Sequence, residues 1–229
     1  MSNQTKILLV EDDENLGFVI KDNLEEAGFS VLWCKDGLSG WEQSQSNNFD
    51  LCILDVMLPK MDGFSVLQKM RTEDQQTPVI MLTAKNMQED VLSGFRHGAD
   101  DYVVKPFDMN ELLLRISVFL RRAKAGNDTS TAYELGKFKF DAAEFLLVNG
   151  EHSHTLTERE ALLLQLFCRH MNKIVKREDI LEELWGENDY FLGRSLDVFI
   201  SRLRKYLRSD ESIEIINHHG VGFKLSVRK

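Results

Sequence analysis

The sequence predicts an α/β protein: a five-stranded, doubly wound parallel sheet in the first half of the chain, followed by a smaller α+β unit. Three observations lead there. Short apolar runs at 7–10, 51–54, 79–82 and 102–104 alternate with helix-length stretches, as buried parallel strands do. Each run ends in a polar group, and the carboxyl ends of such strands face one crevice. Beyond residue 122 the texture changes to short strand-like pieces and three helices.

In the first half the helices are predicted at about 15–27, 37–46, 63–72, 88–97 and 109–122, each between apolar runs. Residues 123–132 are small and polar with nothing to bury. They are read as a flexible linker between a domain at 1–122 and another at 133–229. In the second half, 135–140 and 145–148 read as strands. Thr157 and Glu160 have capping-box spacing at the head of the first helix; further helices are expected at about 176–184 and 192–208. The terminal residues 213–225, with Gly220 and Gly222, read as a hairpin.

A chain of 229 residues with 43% hydrophobic content can bury one large or two medium cores. No apolar run approaches membrane-spanning length and the first residues show no signal-peptide core, so a soluble, cytoplasmic protein without a membrane partner is expected. Cys34, Cys52 and Cys168, an odd set without metal-ligand spacing, read as reduced core residues. The net charge of −9 is uneven: residues 1–122 hold 12 Lys and Arg against 20 Asp and Glu, and residues 123–229 hold 16 against 17. Within 194–208, however, five bases face one acid, a patch suited to nucleic acid.

The strand ends carry the chemistry. Glu11 and Asp12 follow the first run, Asp55 closes the second, Thr83 the third and Lys105 the fourth, with Pro106 next. Carboxylates at this density attract a hard divalent cation, and a hydroxyl and an ammonium suit the oxygens of a phosphoryl group. Asp55 is the candidate nucleophile, relieved of charge repulsion by a metal on Asp12 and Asp55 with Glu11 behind. A Mg²⁺-dependent aspartyl phosphatase is the rival reading. It needs a second carboxylate two residues after the nucleophile, where Met57 stands.

The stretches 6–13, 54–63, 82–85 and 98–107 resemble the receiver domain of bacterial two-component response regulators. The resemblance implies that Asp55 is phosphorylated by a sensor histidine kinase and that Glu11, Asp12, Asp55 and the Met57 backbone carbonyl hold Mg²⁺. It further implies that Thr83 and Tyr102 form the switch pair, that Lys105 holds phosphate and that the Lys105–Pro106 bond is cis. On this reading the protein is no enzyme toward external metabolites; it phosphorylates and slowly dephosphorylates itself. Phosphate would draw Thr83 inward, with Tyr102 following.

In the helix at 192–208, Leu196, Ile200, Leu203 and Leu207 form an apolar stripe; Arg194, Val198, Ser201, Arg202 and Lys205 are predicted on the opposite face. The stretches 156–164, 177–181, 184–186, 194–205 and 220–223 resemble the winged helix-turn-helix effector of OmpR/PhoB-type regulators. This implies a recognition helix, with Arg204 among its contacts, reading promoter double-stranded DNA in the major groove. His219 would be in a wing beside the minor groove, where an arginine often stands. RNA polymerase is a further implied partner. Phe199, where histidine is frequent, reads as packing, as do Trp33, Trp41 and Trp185. Glu111, Arg115 and Arg122 are predicted to face outward beside Asp100 and Asp101 as a homodimer surface; the resemblance implies that Asp101 pairs with Arg115 and Asp100 with Arg122 across it. Val91 cannot pair with Glu111, so one bridge would be missing.

Overall fold

The computed structural model describes residues 4–84, 98–124, 132–150, 152–185 and 190–228, with the backbone only for 121–124 and 190–195. The chain divides into two compact units, Met1–Arg121 and Arg122–Lys229. The helix predicted at 88–97, and Val91 with it, lies outside the described residues.

The first unit runs β1 (Lys6–Val10), α1 (Glu14–Glu26), β2 (Ser30–Cys34), α2 (Gly37–Ser46), β3 (Leu51–Asp55), α3 (Gly63–Glu73), β4 (Val79–Ala84), β5 (Asp101–Lys105) and α4 (Met109–Lys124). Its five strands are parallel in the order β2-β1-β3-β4-β5. Strand order reverses between β1 and β3, and in such sheets the crevice at that reversal is where ligands bind. Ile7, Leu9, Ile53, Ile80, Leu82 and Val103 are fully buried against Ile20, Leu24, Leu112, Ile116 and Phe119. Asp13, Asp36 and Asp62 cap α1, α2 and α3 by accepting backbone N–H groups, so the carboxyl-end loops lead directly into helices.

The second unit opens with an antiparallel sheet, β6 (Ala132–Leu135), β7 (Phe138–Asp141), β8 (Leu146–Asn149) and β9 (His152–Thr155). The run read as one strand at 135–140 is broken, because Gly136 turns with φ +53 and the Lys137 N–H donates to Asp210 Oδ2 at 2.6 Å. Then come α5 (Glu158–Arg169), β10 (Ile174–Lys176), α6 (Arg177–Trp185), α7 (Tyr190–Leu207), β11 (Ile213–His218) and β12 (Gly222–Val227). The three helices pack pairwise, and β10-β12-β11 form an antiparallel sheet whose hairpin turns at Gly220. Thr157 and Glu160 form the predicted capping box. A winged helix therefore follows the doubly wound sheet. No described helix is long and apolar enough to cross a membrane.

Candidate functional site

The carboxyl ends of β1, β3 and β5 bring Glu11, Asp12, Asp55 and Lys105 together. Glu11 is fully buried, Asp55 is 7% exposed and Asp12 is exposed. One oxygen from each of the three acids lies within 4.8 Å of the others. The Lys105 ammonium donates to Glu11 Oε2 at 2.7 Å and to Asp55 Oδ2 at 2.8 Å, so it bridges the two buried acids. Burial pushes the Glu11 carboxyl above its usual range; Lys105 pulls it back and the Asp55 charge adds to the rise. Burial alone would depress Lys105, but the hydrogen bonds and charges of Asp55 and Glu11 together outweigh it and hold the ammonium above its ordinary value.

The loop after Asp55 is built for close approach. A Cβ on Gly63 would sit 2.0 Å from the Asp55 carbonyl oxygen, so only glycine fits where α3 begins against the end of β3. The Met57 N–H points toward Asp55 Oδ1 at 3.4 Å, and its side chain is exposed. Thr83 is 1% exposed and Tyr102 6%, so the aromatic ring already lies inward. The Lys105–Pro106 bond is cis. All donors of the acid cluster are hard oxygens, the set a divalent ion such as Mg²⁺ selects.

In the second unit α7 buries Leu196, Phe199, Ile200, Leu203 and Leu207 and exposes Asp197, Ser201, Arg204 and Lys205. Arg177 of α6 grips Asp197 in a bidentate pair at 2.9 and 2.8 Å. His219 is exposed in the hairpin turn.

Residues 7–117 match the response regulator receiver domain and residues 151–225 the C-terminal domain of transcriptional regulatory proteins. The chain is 46% identical over 226 residues to the transcriptional regulatory protein RprY of Bacteroides fragilis, covering 98% of this chain and 96% of that one. It is 37% identical over 224 residues to DltR of Streptococcus agalactiae, covering 97% and 99%. The chain belongs to the OmpR/PhoB family of response regulators. The crystal structure of DrrB, a Thermotoga maritima OmpR/PhoB homologue, aligns with a TM-score of 0.52 at 31% identity, covering 97% of this chain and 99% of that one.

Three sequence expectations for this response regulator need correction. Arg202 does not stand on the exposed front of α7: its side chain is 14% exposed and its Nη1 donates to Glu160 Oε1 at 2.9 Å. Helical angle alone put it with Ser201, but the capping-box carboxylate, 1% exposed, draws it to the flank. Arg204, though exposed, donates to the Ile215 carbonyl from Nε and Nη2 at 2.9 and 2.6 Å and ties α7 to the hairpin.

The charges assigned to the homodimer surface do not all face outward. Arg115 is 3% exposed, pairing with Glu111 at 2.7 Å and Asp101 at 3.3 Å within the same chain. It stands three residues after Leu112 and four before Phe119, and so falls on the buried stripe of α4. Asp100 is 1% exposed and pairs with Arg71 of α3 at 2.6 Å within the same chain; the side chains of Arg122 and Arg194 lie outside the described residues.

Val198 is half-buried beside the exposed residues of α7. Reasoning from sequence did not reach Arg71, Glu160 as a partner of Arg202, or the polar end of Trp33, whose indole N–H donates to the Glu11 carbonyl at 2.9 Å. The capping box offered the only local signal among them.

Proposed function

We propose that the protein is a phosphorylation-controlled transcription factor: Asp55 accepts a phosphoryl group from the phosphohistidine of a sensor histidine kinase, and the modified protein dimerises and binds promoter DNA. The observation that carries this reading is the Lys105 ammonium bridging Glu11 and Asp55. A carboxylate so held has its repulsion toward phosphate offset, and the ammonium stands ready for a phosphoryl oxygen. Asp55 Oδ would form the new bond to phosphorus as the phosphohistidine P–N bond breaks. Water would later hydrolyse the acyl phosphate and restore the carboxylate, so no external metabolite is turned over. Glu11, Asp12, Asp55 and the Met57 carbonyl would hold Mg²⁺, which when bound would neutralise charge on the phosphoryl oxygens. Thr83 and Tyr102 supply the switch.

DNA is contacted from Ser201 and Lys205, with Val198 beside them and His219 on the wing, and Arg194, whose side chain lies outside the described residues, is a further expected contact. Arg202 can join only by exchanging Glu160 for a base or a phosphate. In the same way, a homodimer through α4 and β5 would have to exchange Arg115's internal partners for those of a second copy. RNA polymerase is the expected further partner. The test is mass measurement of the intact protein after incubation with a small phosphodonor and Mg²⁺. Wild type gains one phosphate and Asp55→Ala gains none; a full adduct on the variant would overturn the assignment.

A further inference from the structure

The Glu11–Asp12 peptide is where the acid pair gets its geometry, and the structure holds Glu11 by its N–H and by its carbonyl, the carbonyl being part of that peptide. The Glu11 N–H donates to the Cys34 carbonyl at 3.1 Å, which continues the β1–β2 ladder one residue past the strand. The Glu11 C=O accepts the Trp33 indole N–H at 2.9 Å. Because a peptide group is planar, fixing that carbonyl fixes the plane that launches the Asp12 Cα. Two residues on, the Asp13 N–H donates to Glu11 Oε1 at 3.2 Å, so both neighbours of Asp12 are tethered while Asp12 itself is exposed.

The indole reaches across the start of α1 through a notch made by one residue. A Cβ on Gly17 would lie 2.2 Å from a carbon of the Trp33 six-membered ring and 2.8 Å from Nε1. Trp33 packs partly buried against the core, and Lys35 lies 5.4 Å over its ring while pairing with Glu14 at 2.7 Å. Packing alone would be satisfied by any large apolar side chain. A donor aimed at the backbone of the acid pair is not explained by packing.

We propose that Trp33 is a positioning residue for the divalent-cation site: its indole N–H, seated in the Gly17 notch, orients the Glu11–Asp12 peptide so that the two carboxylates present the geometry the ion needs. This rests on the reading of Glu11, Asp12 and Asp55 as a Mg²⁺ site. A neutral hydrogen bond that preorganises ligands is expected to change affinity by about three- to ten-fold.

The test is Mg²⁺ titration of the full-length chain by calorimetry. Trp33→Phe, which keeps a ring but removes the donor, should bind Mg²⁺ about three- to ten-fold more weakly, as should Gly17→Ala, which displaces the indole. In an Asp12→Ala background the Trp33→Phe change should add less than it does in wild type, because one of the two carboxylates it orients is gone. On wild type, the indole N–H resonance that disappears in Trp33→Phe should shift on adding Mg²⁺, with the calorimetric midpoint. Trp33→Phe binding Mg²⁺ like wild type, or an indole resonance indifferent to Mg²⁺, would overturn the proposal while leaving the metal site standing. Absence of Mg²⁺ binding by wild type would overturn the metal reading and the proposal together.

Discussion

Replacing Arg202 by alanine tests whether this residue is a reserve DNA contact or a structural member of the effector. Its guanidinium is bound at 2.9 Å to Glu160, whose carboxylate is 1% exposed and also receives the Thr157 N–H at 3.0 Å. Removing one partner of a buried ion pair leaves an uncompensated charge, typically at a cost of about 3–5 kcal/mol. The surviving bonds to Glu160 from the Thr157 N–H and the Tyr206 hydroxyl, and the 14% exposure of Arg202, reduce that, so we expect a loss of about 2–4 kcal/mol. For a unit of this size, that lowers the effector transition by about 8 °C or more. Calorimetry of the full chain should show the effector transition falling and the receiver transition unmoved. Adding Glu160→Gln to Arg202→Ala should recover much of the loss, because it removes the orphaned charge. An Arg202→Ala protein unfolding within about 0.5 kcal/mol of wild type, a change ordinary for a surface site, would refute the reasoning and return Arg202 to a purely DNA-facing role.

Arg115→Glu sets a carboxylate against Asp101 and Glu111 inside the receiver, so thermal unfolding of the monomer should drop, and sedimentation alone would misread this as a lost dimer contact. Arg71→Ala should destabilise the receiver by about 2–4 kcal/mol, since among the described residues Asp100 keeps only the Val79 N–H on the same oxygen; urea unfolding measures it. Asp210 is held below the usual carboxylate range first by the Lys137 N–H, then by the Ser212 hydroxyl and N–H. A depressed folded value means its stabilisation is present above the unfolded value near 4 and is lost as pH falls through the folded one. Asp210→Asn should therefore lower effector stability at pH 7 and flatten its acid limb in unfolding followed from pH 7 down to about 2.

Much of this protein follows from local rules. Apolar runs of four at helix-length spacing specify parallel strands, and strand ends in a doubly wound sheet converge, so the order of residues alone is enough to bring Glu11, Asp55 and Lys105 to one crevice. Thr157 and Glu160 announce a helix start by spacing alone. β9, the sequence His152-Ser153-His154-Thr155, is invisible to such rules because an edge strand exposed on both faces carries no apolar alternation. What the tertiary structure decided were partners far apart in sequence: Trp33 for the Glu11 carbonyl, Arg71 for Asp100, Glu160 for Arg202. A helical wheel fixes the angle of a side chain but not which neighbouring element covers that angle. Arg115 lies within the apolar stripe of its helix and Arg202 at the border of another, and in each case a buried carboxylate on another element holds the guanidinium inward. Long flexible side chains at such borders take the direction of the strongest unpaired charge within reach, and only the packed fold determines where that charge lies.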